Sequence, residues 1–143
     1  MASEPVVRVG AAVLQAIADH ARAECPRECC GLLIGCDGRI AEAVATANVA
    51  ATPTRHYEIS PADYLAQINR CRMLSAREGR AYSVVGAYHS HPRSAPEPSP
   101  TDLDQSFQDF LYVIAGPAEA HDIEIKAYRL SHQGLEPVPL VVD

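Results

Sequence analysis

The segment Tyr88-His89-Ser90-His91-Pro92 constrains the fold of this chain more than any other part of the sequence. It ends a run rich in Val and Tyr, which predicts a strand over residues 83–91. Side chains alternate across a strand, so His89 and His91 would point to the same face. Pro92 lacks the N–H that a sheet ladder needs and would end the strand. Two histidines on one face of an otherwise apolar strand are costly unless they share polar partners.

A carboxylate follows at Asp102, within Ser99-Pro100-Thr101-Asp102, a pattern that predicts a helix start. Two imidazoles and one carboxylate, with one position left open, form the ligand set of a catalytic zinc ion. Non-haem iron uses the same set, so the ligands alone do not decide the metal.

Each part of this constellation also has a purely structural interpretation. Asp102 could serve only as a helix cap, because Ser60-Pro61-Ala62-Asp63 repeats the pattern without a neighbouring histidine. His89 and His91 could be half-buried strand residues, since isolated His-x-His pairs are common. The order of the two motifs, with the carboxylate just after His-x-His-Pro, favours the metal site.

The remaining pattern alternates strands with helices and predicts an α+β fold, a mixed β-sheet flanked by helices. Asp37-Gly38 predicts a hairpin turn, and Asp63 would close a capping box with Ser60. The apolar face of the second helix would be Tyr64, Leu65, Ile68, Cys71 and Leu74 or Ser75. The predicted helices cover residues 11–24, 60–79 and 99–108, and the predicted strands cover 30–36, 39–49, 57–59, 83–91, 110–115, 122–130 and 135–142.

Length and charge exclude several classes of protein. The 143 residues suffice for one domain, 1–143, with a substantial core, and we find neither an internal repeat nor a linker. A net charge of −6 offers no electrostatic basis for binding nucleic acid or an anionic membrane. The chain shows no signal peptide and no apolar run of membrane-spanning length, which favours a cytoplasmic location.

The remaining reactive side chains give weaker signals. The five cysteines are odd in number and form no C-x-x-C pair, so reduced thiols are expected, either packed in the core or, for Cys29 or Cys30, as a nucleophile beside a histidine. Glu28, directly before an apolar strand, would by itself be a solvated or turn-capping residue. The remaining histidines have no ligand spacing and are expected at the surface; these are His20, His56, His121 and His132.

Three linked motifs nevertheless resemble one family over nearly the whole chain. They are Pro26-Arg27-Glu28-Cys29-Cys30-Gly31-Leu32-Leu33-Ile34-Gly35, His89-Ser90-His91-Pro92 and Pro98-Ser99-Pro100-Thr101-Asp102. Together they resemble the JAMM (MPN+) metalloproteases, in which a glutamate precedes His-x-His-Pro and Ser-x-x-Asp. The resemblance implies one Zn²⁺ per chain, held by His89, His91 and Asp102, with water in the fourth position. It also implies Glu28 as general base, Ser99 as a donor to the oxyanion, and a cytidine-deaminase-like α-β-α fold.

The resemblance further implies hydrolysis of peptide or isopeptide bonds after the C-terminal glycine of a ubiquitin-like protein. Few residues separate Asp102 from the strand predicted at Phe110, so the chain is most similar to small prokaryotic members. These resemble peptidases that trim a short extension from a ubiquitin-like sulfur-carrier protein and expose its Gly-Gly end. A non-catalytic scaffold of the same fold and a zinc amidase acting on a small molecule are the alternatives. An extended channel beside the metal would favour a protein tail, and a closed pocket a small molecule. Exposed strand edges would also allow a homodimer.

Overall fold

The strands of this chain form one mixed sheet in the computed structural model, which describes residues 6–104, 106–107 and 109–143. Three helices accompany the eight strands in these ranges. The strands are Val7–Val9 (β1), Cys30–Cys36 (β2), Arg39–Thr46 (β3), Tyr82–Ser90 (β4), Leu111–Gly116 (β5), Glu124–Ser131 (β6), Gly134–Val138 (β7) and Leu140–Val142 (β8). The helices are Ala11–Glu24 (α1), Pro61–Glu78 (α2) and Pro100–Asp104 (α3).

The strand order is β7-β6-β5-β4-β2-β3-β1-β8. The pairs β2–β3, β2–β4, β5–β6 and β6–β7 are antiparallel, whereas β4–β5, β1–β3 and β1–β8 are parallel. The prediction of an α+β fold with a mixed sheet is therefore confirmed. The histidine strand β4 lies at the centre, between β2 and β5.

The sheet curves until its two ends approach each other. Strands β7 and β8 stand at opposite ends of the strand order, yet only Pro139 separates them along the chain. One residue spans less than about 4 Å, so both ends must be close in space. The carbonyl of Pro139 accepts a hydrogen bond from the N–H of Val7 at 2.9 Å, which ties this crossing to β1.

Helices cover both faces of the sheet. Ile17 and Ala21 of α1 belong to the same buried cluster as Tyr88 of β4 and Val113 of β5. Helix α2 packs on β2 and β4, and its Tyr64 lies near Phe110, which in turn contacts Tyr112 (centroid separations 6.3 and 5.5 Å). Tyr112 precedes Val113 in β5 and so faces the opposite side. By the same alternation, His89 points away from α1 and toward the α2 side.

Local signals account for where the helices begin and end. Ser60 Oγ accepts a hydrogen bond from the N–H of Asp63 at 3.2 Å, and Pro61 occupies the first turn of α2. Gly79 ends this helix with φ of 68°, a left-handed conformation that glycine adopts without strain. Helix α1 ends at Glu24, the predicted boundary, and its C-cap Cys25 directly precedes Pro26.

Several predicted boundaries are wrong. No strand forms at 57–59 in the described chain, and β3 ends at Thr46 rather than residue 49. The predicted strand over 135–142 is two strands at opposite ends of the sheet, because Pro139 cannot continue a ladder. Strand β1 was not predicted, since three residues are too few to show alternation. Helix α3 is described as Pro100–Asp104, and positions 105 and 108 of its predicted extent lie outside the described residues.

The apolar face predicted for α2 is only partly buried. Cys71 is buried, but Leu65 is 58% exposed and Ile68 is 37% exposed. The helix packs on β2 and β4, and the side of its predicted apolar face that carries Leu65 and Ile68 is partly in solvent. No helix among the described residues is long and apolar enough to cross a lipid bilayer. The cytoplasmic location stays a prediction from sequence.

Candidate metal centre

The two histidines of the His-x-His-Pro motif converge at the C-terminal end of β4. His89 and His91 are both buried, and their Nε2 atoms lie 3.3 Å apart. The shared face expected from strand alternation is therefore present, although β4 itself ends at Ser90. The N–H of His91 still donates to the carbonyl of Ala115 at 2.8 Å, so the backbone beyond the strand remains anchored to β5.

Asp102 closes the constellation from the first turn of α3. Its Oδ1 lies 3.0 Å from Nε2 of His89, and its Oδ2 lies 3.2 Å from Nε2 of His91. The same Oδ2 accepts the N–H of Ser99 at 2.8 Å, while Ser99 Oγ accepts the N–H of Asp102 at 3.1 Å. These reciprocal bonds form a complete capping box. Asp102 therefore caps a helix and contacts both histidines.

The charges of the three groups are strongly coupled. Burial opposes the charge on Asp102, but hydrogen bonds from His89 and His91 outweigh it and hold the pKa of this carboxyl well below its ordinary value. Burial lowers the pKa of His89 despite its bond to Asp102. The pKa of His91 is raised, because bonds to Asp102 and the Ala95 carbonyl exceed the effect of burial. Asp102 is therefore an anion that faces two imidazoles.

The geometry of these donors fits a zinc ion. One ligand atom from each of His89, His91 and Asp102 can be chosen so that all lie within 4.8 Å of one another. A tetrahedral zinc ion with bonds of about 2.0–2.2 Å places its ligand atoms roughly 3.3 Å apart. The Nε2 atoms of the two histidines are 3.3 Å apart, in agreement with that spacing. The Asp102 carboxylate faces both of them, with Oδ1 3.0 Å from His89 and Oδ2 3.2 Å from His91. Borderline nitrogen and oxygen donors in this ratio suit zinc and also iron.

The remaining ring nitrogens indicate how the histidines are oriented. Nδ1 of His91 lies 2.9 Å from the Ala95 carbonyl, which can only accept, so Nδ1 carries a proton and Nε2 is the nitrogen that can bind a metal. Nδ1 of His89 is buried and has no hydrogen-bond partner among the described residues. His89 is instead stacked against Tyr57, with ring centroids 4.3 Å apart and planes 15° from parallel. Tyr57 was predicted as a strand residue, and its contact with the site could not be read from its neighbours in sequence.

Glu28 lies beside this cluster, directly before β2. Its backbone N–H donates to the Pro53 carbonyl at 2.7 Å, and its carbonyl accepts from Nδ2 of Asn48 at 2.9 Å. Burial raises the pKa of the Glu28 carboxyl from 4.5 to about 7, with His91 opposing and Asp102 adding to the rise. A carboxyl with a pKa near neutrality can both accept and release a proton at physiological pH.

Asn48 and Ser90 support this arrangement and were not predicted from sequence. Asn48 also donates to the His56 carbonyl at 2.9 Å and accepts the N–H of Glu58 at 3.1 Å, so it joins the 50–58 segment to the end of β3. Ser90 Oγ accepts the N–H of Cys29 at 2.8 Å. Its position between the two histidines of the motif was the one available signal.

The cysteines near the site are unreactive core residues, and two of the histidines predicted at the surface are half-buried. Cys29 is buried, and burial raises the pKa of its thiol to about 12. The Cys30 thiol donates to the Ala47 carbonyl at 3.6 Å, and its pKa is likewise raised by burial. Protonated thiols are poor nucleophiles, which favours core packing. His20 and His56 are half-buried rather than at the surface, and Nδ1 of His20 lies 2.8 Å from the Tyr88 hydroxyl.

A cleft of about 590 Å³ adjoins the cluster. Glu28 and His91 lie on its wall together with Arg55 and Arg93, and both arginines are exposed at its rim. The volume is in the range typical of ligand sites. Because the rim is in solvent, the cleft is an open groove and not a closed pocket.

The chain is similar to several known proteins. A family model described as "Prokaryotic homologs of the JAB domain" matches residues 10–131. The chain is 38% identical over 108 residues to a desampylase of Haloferax volcanii, covering 71% of this chain and 73% of that protein. It is 29% identical over 141 residues to a CysO-cysteine peptidase of Mycobacterium tuberculosis, covering 95% and 92%. A solution structure of a Desulfitobacterium hafniense protein superimposes with a TM-score of 0.83 at 23% identity, covering 96% of this chain and 93% of the other.

Proposed function

This chain belongs to the family of prokaryotic JAB-domain proteins and is a hydrolase of the JAMM type; from this premise, we propose that it is a zinc-dependent peptidase that cleaves after the C-terminal Gly-Gly of a ubiquitin-like sulfur-carrier protein. The arrangement that best supports this activity is the cluster of three metal-binding side chains, of which His91 lines an open cleft together with the buried Glu28 carboxyl. The catalytic roles of Glu28 and Ser99 and the metal-binding roles of the three ligands belong to this proposal.

His89, His91 and Asp102 would hold the zinc ion through the three atoms that already converge. Zinc bound there would supply a Lewis acid that polarises the scissile carbonyl and lowers the pKa of water toward neutrality. The Ala95 carbonyl keeps His91 in the tautomer that this role requires. The capping box keeps the Asp102 carboxylate oriented toward the histidines before any metal arrives.

Glu28 would act as general base and then as general acid. Its pKa of about 7 lets it accept a proton from the attacking water and return that proton to the leaving amine. Ser99 would donate its hydroxyl hydrogen to the substrate oxygen that gains negative charge. Its Oγ accepts the Asp102 N–H, and a hydroxyl can accept and donate at the same time.

The choice of substrate is supported by the relatives and by the shape of the cleft. One relative is called a desampylase and another a CysO-cysteine peptidase, names that both refer to cleavage at a protein partner. The cleft opens to solvent at Arg55 and Arg93, so a protein tail can enter it. A non-catalytic scaffold would have no need of a complete ligand set beside a carboxyl tuned to neutral pH.

Metal content measured by elemental analysis tests the first half of the proposal. We expect about one zinc per wild-type chain and loss of that zinc in each of His89→Ala, His91→Ala and Asp102→Ala. Folded wild-type protein that stays metal-free when zinc is offered would contradict a zinc enzyme and favour the scaffold.

Cleavage of a Gly-Gly-extended carrier, followed by mass spectrometry of both products, tests the second half. We expect zinc-loaded wild type to release the extension, and Glu28→Gln to keep its zinc but lose roughly 10²–10⁴-fold in rate. A zinc-loaded wild type that cleaves no carrier but hydrolyses small amides would support the amidase instead.

A further inference from the structure

The cleft beside the metal site carries two arginines that the proposed chemistry does not use. Arg55 and Arg93 come from separate loops and line the cleft of about 590 Å³ together with Glu28 and His91. The chain as a whole has a net charge of −6, so the two positive charges at this cleft are opposite in sign to the net charge of the protein. Arginine guanidinium groups bind carboxylates through charge-assisted and often bidentate hydrogen bonds.

Both guanidinium groups have free hydrogen-bonding capacity. Within the described part of the chain, no carboxylate lies within ion-pair distance of Arg55. Its backbone N–H donates to the Thr52 carbonyl at 3.0 Å, which fixes the turn that presents the side chain. Arg93 donates to Glu119 through Nε alone, at 3.2 Å, so both terminal nitrogens stay available.

The direction of the proposed reaction assigns this cleft to one side of the scissile bond. The water oxygen forms the new C–O bond, the C–N bond breaks, and the leaving amine takes the proton that Glu28 received from water. The leaving residue must therefore lie on the Glu28 side of the three metal-binding side chains. That is the side on which the cleft with Arg55 and Arg93 lies.

We infer that Arg55 and Arg93 form a leaving-group subsite that binds the free α-carboxylate of a one- or two-residue C-terminal extension. This inference rests on the proposed function and narrows it, because it makes the enzyme a carboxypeptidase on Gly-Gly-extended carriers. One residue spans about 3.5 Å, so a short extension keeps its carboxylate within this cleft. A lysine side chain in an isopeptide bond carries no carboxylate at that position.

The test compares two forms of one semisynthetic carrier that ends in Gly-Gly-Ala, with either a carboxylate or a carboxamide at its C-terminus. We expect zinc-loaded wild type to cleave the carboxylate form with a kcat/KM roughly tenfold or more above that of the carboxamide. The difference should lie in KM, since the carboxylate is held equally in ground and transition states. It should also shrink as salt increases, because both arginines are exposed.

Substitution identifies the residues responsible. In Arg55→Gln with Arg93→Gln, we expect the ratio between the two substrates to fall to about one, because kcat/KM for the carboxylate form falls while the protein keeps its zinc. Arg72→Gln is the matched control, because Arg72 is exposed on α2 and lines a different cleft. It should keep the wild-type ratio.

The outcomes separate this inference from the function on which it rests. Equal cleavage of both substrates by wild type, or discrimination that survives in the double variant, overturns the subsite and leaves the peptidase intact. Faster cleavage of a Gly-Gly–lysine isopeptide than of the carboxylate substrate also overturns the subsite and leaves the peptidase intact. No cleavage of any of these by zinc-loaded protein overturns both.

Discussion

The same four-residue pattern, Ser-Pro-x-Asp, begins two helices of this protein. In both, the serine Oγ accepts the N–H of the aspartate, at 3.2 Å in Ser60–Asp63 and 3.1 Å in Ser99–Asp102. The helices differ in length, with 18 residues in α2 and five described residues in α3. A helix of five residues is far below the length that is stable alone, so α3 depends on tertiary contacts.

The two turns differ in the contacts that their carboxylates, Asp63 and Asp102, make. Asp102 returns a bond to the N–H of its cap at 2.8 Å and contacts both histidines, so the box is complete. Among the described residues, Asp63 makes no such return bond, and the capping box predicted for α2 is only half formed. Among the described residues, the first turn makes only the contacts of a helix start. The second uses the same local geometry to hold a carboxylate in a buried charge cluster.

Exchange of each carboxylate for an amide should give the largest contrast. We expect Asp102→Asn to lose zinc, because the amide removes the only anion among the three donors. Asp63→Asn should bind one zinc per chain as wild type does. Elemental analysis after dialysis distinguishes them, and an Asp102→Asn protein that retains stoichiometric zinc would falsify the assignment of this ligand.

Removal of each cap hydroxyl should give the next largest contrast. Ser99→Ala is expected to retain zinc and to lose roughly 10²–10³-fold in kcat, the effect of one lost oxyanion donor. Ser60→Ala should lower the free energy of unfolding by about 0.5–2 kcal/mol without a change in kcat. Steady-state cleavage and urea unfolding measure both. If kcat of Ser99→Ala stays within a few-fold of wild type, Ser99 is a helix cap only.

The buried carboxyl of Glu28, which is coupled to Asp102, makes the free energy of unfolding depend on pH. Burial raises the pKa of Glu28 from 4.5 to about 7, so the folded state disfavours its ionised form. The penalty is absent below about pH 4.5, grows as pH rises and is complete above about pH 7. Metal-free Glu28→Gln should therefore exceed wild type in stability by about 1–2 kcal/mol at pH 8. This is less than the full pKa shift implies, because solvent in the open cleft screens the carboxylate.

Urea unfolding of metal-free protein between pH 4.5 and pH 8 measures this difference. Bound zinc should reduce it, because a nearby cation favours the carboxylate. A stability difference that does not change with pH would argue against the raised pKa.

The prolines at the first helical position should give the smallest contrast. Pro61→Ala and Pro100→Ala each free the unfolded chain and should lower stability by about 0.4–1 kcal/mol. Only Pro100→Ala should also weaken zinc binding, by about two- to fivefold, because α3 orients a ligand. Competition with a chelator of known affinity measures this change. Equal zinc affinity in both variants would mean that α3 is held by its other contacts.

Residues that act through their neighbours in sequence were predicted well. The hairpin turn at Asp37-Gly38, the cap at Ser60 and the end of the second helix at Gly79 are local features, and each is present. The shared face of His89 and His91 follows from alternation along a single strand, which needs no knowledge of the rest of the fold.

Residues that act across the sheet could not be predicted. Tyr57 stacks on His89 from a segment more than 30 residues earlier, and Arg55 and Arg93 reach one cleft from separate loops. Pro139 joins two ends of the sheet whose pairing partners lie far apart in the chain. None of these contacts has a periodic or local signal.

By itself, the sequence determined which side chains could bind a metal, in what order, and how the flanking strand and helix turn would orient them. These depend on backbone alternation and capping, which act over a few residues. Only the tertiary structure decided that Glu28 is buried beside Asp102 and has a pKa of about 7, and that two arginines share its cleft. Burial and electrostatic coupling depend on distance in space, and the folded sheet alone sets that distance.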